Sequence, residues 1–208
     1  MKLPQLLKVV RSCTACAEHL PHGVRPVLQV SENARILIVG QAPGRKVHES
    51  GVPFDDASGE RLRAWMGVTR EQFYDASITA ILPMGFCYPG RGKSGDLPPR
   101  KECAPLWREP LLAVMPNIQL TLVIGQYAID WHMKESQAST LTGTVKTWRD
   151  LAMNSALGQA QQGLQQGDFS SLLPLPHPSP RNNIWLKANL WFEKDVVPAL
   201  QARVAALL

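Results

Sequence analysis

The chain has 208 residues, with 22 Lys plus Arg against 17 Asp plus Glu, a net charge of +5. Apolar residues make up 45% of it, ordinary for a globular protein and too many for a disordered one. No apolar run approaches the ~20 residues of a membrane-spanning helix, and LTLVIG at 120–125 is typical. The start, MKLPQLLKVVRSC, lacks a long apolar core and a small-residue cleavage site. The expectation is therefore no secretory leader, no membrane partner, and a cytosolic monomer. One domain over 1–208 is expected, since a chain of this size hides roughly 70% of its unfolded surface without a covalent staple.

The pattern alternates along the chain. Residues 2–12 carry apolar positions that suit a short helix, with Cys13 just after it. ARILIVG at 34–40 is a β-branched run ending in Gly, which reads as a buried strand. A Gly- and Pro-containing loop leads to a predicted helix over 58–67, with Ser58 as its N-cap. SITAILP at 77–83 predicts the second strand, and 85–99 reads as a Gly/Pro-rich loop. A helix over 100–115, a strand over 120–125 and a helix over 126–134 follow. NSALGQAQQGLQQGDFS at 154–170 reads as a Gln-rich surface insertion. SLLPLP at 171–176 is the fourth candidate strand, ending at His177. Residues 188–207 predict a helix that Pro198 interrupts or restarts.

Strands alternating with helices predict an α/β fold. Its expected form is a three-layer α/β/α sandwich around a central, mostly parallel four-stranded sheet. Ligands in such folds bind beyond the carboxyl ends of the strands. Those ends carry GQAPG (40–44), LPMGF (82–86), GQY (125–127) and HPSPRN (177–182).

The four cysteines form two pairs, Cys13-x2-Cys16 and Cys87-x15-Cys103. In a reducing compartment such pairs are metal ligands sooner than disulfides. The spacing suits an iron–sulfur cluster or a structural zinc and does not choose between them.

GQAPG, GVPF at 51–54 and HPSP at 177–180, in that order, resemble the uracil-DNA glycosylase superfamily. The cysteine arrangement resembles its iron–sulfur family 4 branch, which implies a [4Fe–4S] cluster on Cys13, Cys16, Cys87 and Cys103. SGVPFDDASGERLRAWMGV at 50–68 and HPSPRN at 177–182 are similar to the single-strand-selective monofunctional branch. The resemblance covers nearly the whole chain outside the Gln-rich insertion. It implies a DNA-repair enzyme that flips out a damaged base and hydrolyses its glycosidic bond.

The same resemblance implies roles for particular residues. Phe54 would stack on the flipped base. His177 would donate to the base oxygen as negative charge develops there. Gly40 and Gly44 would let the backbone approach the base, and Gln41 would bind the base or orient water. Ala42 stands where the best-known branch has a water-activating aspartate. Val47 stands where family 4 carries an acid. His48, Glu49 and Asp55 are the nearby candidates for water activation. Ala80 aligns with the asparagine that reads uracil in other branches. Its lost amide costs roughly 1–3 kcal/mol of discrimination, unless Thr79 or a backbone amide at Met84–Gly85 substitutes. Ser179, Arg181, Asn182 and Asn183 form the expected DNA wedge. Arg91, Lys93, Arg100 and Lys101 would track phosphates from their loop. Trp185 and Trp191 read as packing residues.

Three functions compete on these residues. The first is a monofunctional glycosylase for uracil, or for hypoxanthine, xanthine or 5-hydroxymethyluracil. The second is a damaged-DNA-binding protein with little turnover. The third is a zinc-bound nucleic-acid module. No lysine is placed for strand cleavage at the abasic site.

Overall fold

The computed structural model describes residues 1–93, 95–150 and 171–208. The Gln-rich segment expected at 154–170 lies outside them. Four strands form one sheet: β1 Ile36–Val39, β2 Thr79–Ile81, β5 Leu120–Ile124 and β6 Ser171–Leu175. Their order is β2-β1-β5-β6 and all pairings are parallel. A two-residue hairpin, β3 Arg91–Gly92 with β4 Gly95–Asp96, stands apart inside the stretch expected to be plain loop.

Alternation along each strand divides the core in two. Ile36, Ile38, Leu120, Leu122 and Ile124 face one side, and Leu37, Val39 and Val123 the other. On the first face lie α3 Ala57–Met66, α4 Arg70–Tyr74 and α9 Val197–Ala205, through Leu62, Trp65, Phe73, Leu200 and Val204. On the second lie α1 Leu3–Arg11, α5 Cys103–Leu112 and α6 Gln126–His132, through Leu6, Val10, Leu111 and Ile129. This is the expected three-layer sandwich. β1 sits between β2 and β5, so the connections diverge there and open a crevice beyond its carboxyl end.

Several local expectations shift. The helix expected from Ser58 is capped two residues earlier, where Asp56 accepts a hydrogen bond from Gly59 N at 3.0 Å. The helix expected over 100–115 runs only over Cys103–Leu112, after a turn that follows Pro98 and Pro99. Pro198 restarts the last helix in its first turn, and a π-helical turn, Phe192–Val196, precedes it. Among the described residues three further short helices are present: α2 Arg45–Ser50, α7 Leu141–Lys146 and α8 Asn183–Ala188. Trp185 and Trp191 pack edge-on against Phe192 in the first core, as expected of packing residues.

Candidate active site

A cavity of about 430 Å³ opens at the carboxyl ends of β1, β2 and β6. That size suits a nucleobase with its sugar. Two loops form its floor. Gly40 O accepts from Met84 N at 2.8 Å, and Gln41 O accepts from Gly85 N at 2.9 Å. The GQAPG loop is thus clamped to the loop after β2. The Met84 and Gly85 amides, considered as base readers on sequence, are occupied by this clamp.

Phe54 enters the cavity from the loop between α2 and α3. Its backbone has φ +55°, uncommon for a bulky residue and the kind of strain that gathers at binding sites. The conformation is held from several sides. Tyr74 Oη donates to Pro53 O at 3.0 Å. The Phe54 ring packs edge-on against Phe73. A β-carbon on Gly40 would stand 3.4 Å from Phe54 Cζ, so the ring lies directly over the glycine.

His177 follows β6 and lines the same cavity. Ser179 N donates to His177 Nδ1 at 3.2 Å, so the neutral ring carries its proton on Nε2. Burial pushes the His177 pKa below its ordinary value, against a smaller upward pull from Asp56 and Asp96. The ring is therefore a neutral donor at physiological pH. Its loop is anchored by Asn182 Nδ2 on His177 O (2.8 Å) and by Arg61, which donates to Ser179 O (3.1 Å) and Asn183 Oδ1 (2.8 Å). Ser179, Arg181 and Asn182 all line the cavity beside His177.

Gln41 also lines the cavity. Its Nε2 donates to Leu97 O at 3.3 Å, which turns the amide oxygen to the acceptor role. Five other candidates are placed elsewhere. Ala80 is fully buried in the second core and does not line the cavity. Thr79 is also buried, with its carbonyl accepting from Gln29 Nε2. His48 contacts His22 O through Nε2 at 3.1 Å, and Glu49 pairs with Arg45 at 2.8 Å. Neither His48 nor Glu49 lines the cavity. The reason is local: residues 45–50 form a helix, whose buried side chain Val47 faces the cavity. Asp55 pairs with Arg70 at 3.0 Å, and this hydrogen bond holds its carboxyl below the usual range.

The carboxylates that do line the cavity are Asp56 and Asp96, which sequence reasoning passed over. Asp56 reads as a helix cap and serves as one. Asp96 sits in a Gly-rich stretch that reads as a turn. Arg91 and Lys93 are exposed on the same hairpin.

A second, narrower cavity is lined by Cys13, Cys16, Cys87 and Cys103 together. All four are free thiols. Val10, Ala15, Pro26, Phe86, Leu106 and Trp107 give its wall an apolar part, and Arg100 and Glu102 line it too. Trp107 Nε1 donates to Cys13 Sγ at 3.3 Å, and Phe86 N to Cys103 Sγ at 3.4 Å. Burial pushes the Cys87 thiol up to about 11 and the Cys103 thiol to about 12. Such thiols ionise only against a bound cation. Among the described residues, no three His, Cys, Asp or Glu side chains are grouped closely enough to hold one metal ion.

The parallel sheet, the strand-end cavity with an aromatic ring and a neutral histidine donor, and the separate four-cysteine pocket define an α/β protein with a nucleobase-sized site. The uracil DNA glycosylase superfamily model matches residues 28–201, and the chain belongs to that family. It is 30% identical over 129 residues to the type-4 uracil-DNA glycosylase of Archaeoglobus fulgidus, an alignment covering 61% of each chain. It is 31% identical over 77 residues to that of Thermotoga maritima, covering 36% of this chain and 40% of the relative. The matches thus span less than two thirds of either relative's length.

Proposed function

We propose that the chain is a DNA glycosylase that hydrolyses the N-glycosidic bond of a flipped base, uracil first, and leaves an abasic site. The observation that carries this reading is the pairing of Phe54 with a neutral, Nε2-protonated His177 in one cavity. Phe54 supplies the flat apolar face for the base. His177 donates to the base oxygen on which negative charge accumulates as the bond breaks. Gln41 Oε1 is positioned as an acceptor for an N–H on the base edge, in place of the amide absent at Ala80. Arg181, Ser179 and Asn182 meet the DNA strand at the cavity rim, with Arg91 and Lys93 beside them on phosphates.

The four cysteines would hold a [4Fe–4S] cluster. Their common, partly apolar pocket and the two N–H donors to sulfur favour it. A structural zinc on the same four cysteines is the alternative. The cluster when bound supplies a covalent cross-link between the N-terminal segment and the 87–103 loop, since hydrolysis moves no electrons.

Single-turnover incubation with uracil-containing single- and double-stranded oligonucleotides tests the reading. Free uracil with an uncut abasic strand supports it. Tight lesion binding without base release would replace it with the damage-binding reading.

A further inference from the structure

Hydrolysis needs a group that takes a proton from the attacking water, and Ala42 cannot do so. Among the described residues only two carboxylates line the cavity, Asp56 and Asp96. Asp56 Oδ1 is committed to Gly59 N as the cap of α3. Among the described residues Asp96 has a single hydrogen bond, from Tyr88 Oη at 3.4 Å, and no ion pair. Tyr88 is buried, and burial followed by the Asp96 charge keeps its phenol protonated and a donor.

The second oxygens of both carboxylates converge on one place. A β-carbon on Gly44 would stand 3.7 Å from Asp96 Oδ2 and 4.0 Å from Asp56 Oδ2. Gly44 has φ −79°, which any residue adopts, so its backbone does not require glycine. What the missing side chain leaves is a small space between the GQAPG loop and two carboxylate oxygens. A water seated there has an acceptor on two sides and the base cavity in front.

We propose that Asp96 is the catalytic carboxylate that takes the proton of the attacking water, with Tyr88 as its positioning residue. The inference rests on the glycosylase reading. The C1′–N bond breaks with its electron pair leaving on the base, where His177 Nε2–H meets the developing charge. The water oxygen forms the new C1′–O bond, and one water proton passes to Asp96. Asp96 then returns that proton to the departing base, directly or through solvent. The products are a neutral base and a C1′ hydroxyl, and nothing is oxidised or reduced.

The test uses full-length protein in single-turnover base release, with lesion-DNA affinity measured in parallel. Asp96→Asn lowers release at least ~100-fold with affinity within a few-fold of wild type. Formate restores part of the rate of Asp96→Ala, which a purely structural role does not allow. Gly44→Ala fills the water's place and also lowers the rate without loss of affinity. Tyr88→Phe lowers it less than Asp96→Asn. An active wild type with an equally active Asp96→Asn overturns the assignment alone, as does failure of formate to act on Asp96→Ala. An inactive wild type instead overturns the glycosylase reading beneath it.

Discussion

Gly59 lies with its Cα against the carbonyl oxygen of Phe54, and no β-carbon fits between them. The same glycine donates its N–H to Asp56. One residue of α3 therefore holds both the strained turn at Phe54 and the cap beside it. Gly59→Ala is expected to cost about 1–3 kcal/mol of stability through overpacking. It should also displace the Phe54 ring and reduce base release. Phe54→Gly relieves the positive φ but removes a ring packed on Phe73 and the first core. Base release should fall, and denaturant midpoints should fall with it, because lost packing outweighs the relieved strain.

The proposed role of His177 as a neutral donor places the effect of its removal in the chemical step. His177→Ala is expected to slow single-turnover release roughly 100- to 1,000-fold. The wild-type rate should stay level as pH falls through 6.5, the ordinary histidine value, because burial depresses this one. Ser179 has φ −58° and ψ 143°, which proline also adopts. Ser179→Pro removes the N–H that occupies Nδ1, so the acid limb of the rate profile should move to higher pH.

Arg108 is fully buried without a carboxylate partner in any ion pair among the described residues. It donates to Leu82 O (2.9 Å) and Pro83 O (2.8 Å), and its Nη1 lies 2.9 Å from His132 Nε2. Burial, then the Arg108 charge, push His132 from 6.5 down to about 3. The unfolded chain thus binds this proton more readily than the folded one. The neutral histidine's contribution is complete above pH 6.5 and is lost progressively as pH falls from there toward 3. Within that window the slope approaches about 1.4 kcal/mol per pH unit. His132→Gln keeps an acceptor for Arg108 but cannot titrate. Urea midpoints at neutral and acid pH should differ less for it than for wild type.

Exposed Arg91 and Lys93 on the hairpin are assigned to phosphates. Replacing both by Ala should lower the slope of log K against log salt by about 1.5. Binding should weaken alike for lesion and undamaged DNA. An unchanged slope would remove the hairpin from the DNA interface.

The cysteine pocket makes a chemical prediction. Purified protein should contain iron and sulfide and absorb in the visible. Cys87→Ser or Cys103→Ser should lose both the colour and thermal stability, because each thiol lies in a wall shared by α5 and the 85–87 loop. Zinc in a colourless protein would favour the structural-zinc reading.

The strands were legible because fully buried parallel strands read as unbroken apolar runs, as ILIV at 36–39 and LTLVI at 120–124 show. Gly40, Gln41 and His177 were legible through short motifs at strand ends and Phe54 through GVPF in the loop after α2, and all four line the cavity. Asp96 was not, because an aspartate just after Gly95 and two residues before Pro98 reads as turn chemistry until the hairpin folds over Gly44. Ala80 was assigned to the base by alignment to a strand end. Strand alternation instead turns it into the second core, and Ile81 and Pro83 reach the cavity. Short helices such as Arg45–Ser50 escape because six residues carry too little periodicity. That helix carries His48 and Glu49 away from the cavity they were expected to serve.

The most direct measurement is single-turnover base release from oligonucleotides carrying one uracil, hypoxanthine, xanthine or 5-hydroxymethyluracil, by wild type and His177→Ala. Uracil release by the wild type, lost in the variant, with the abasic strand left intact, is the expected result. Release of none of the four bases by the wild type, or equal release by the variant, would contradict it.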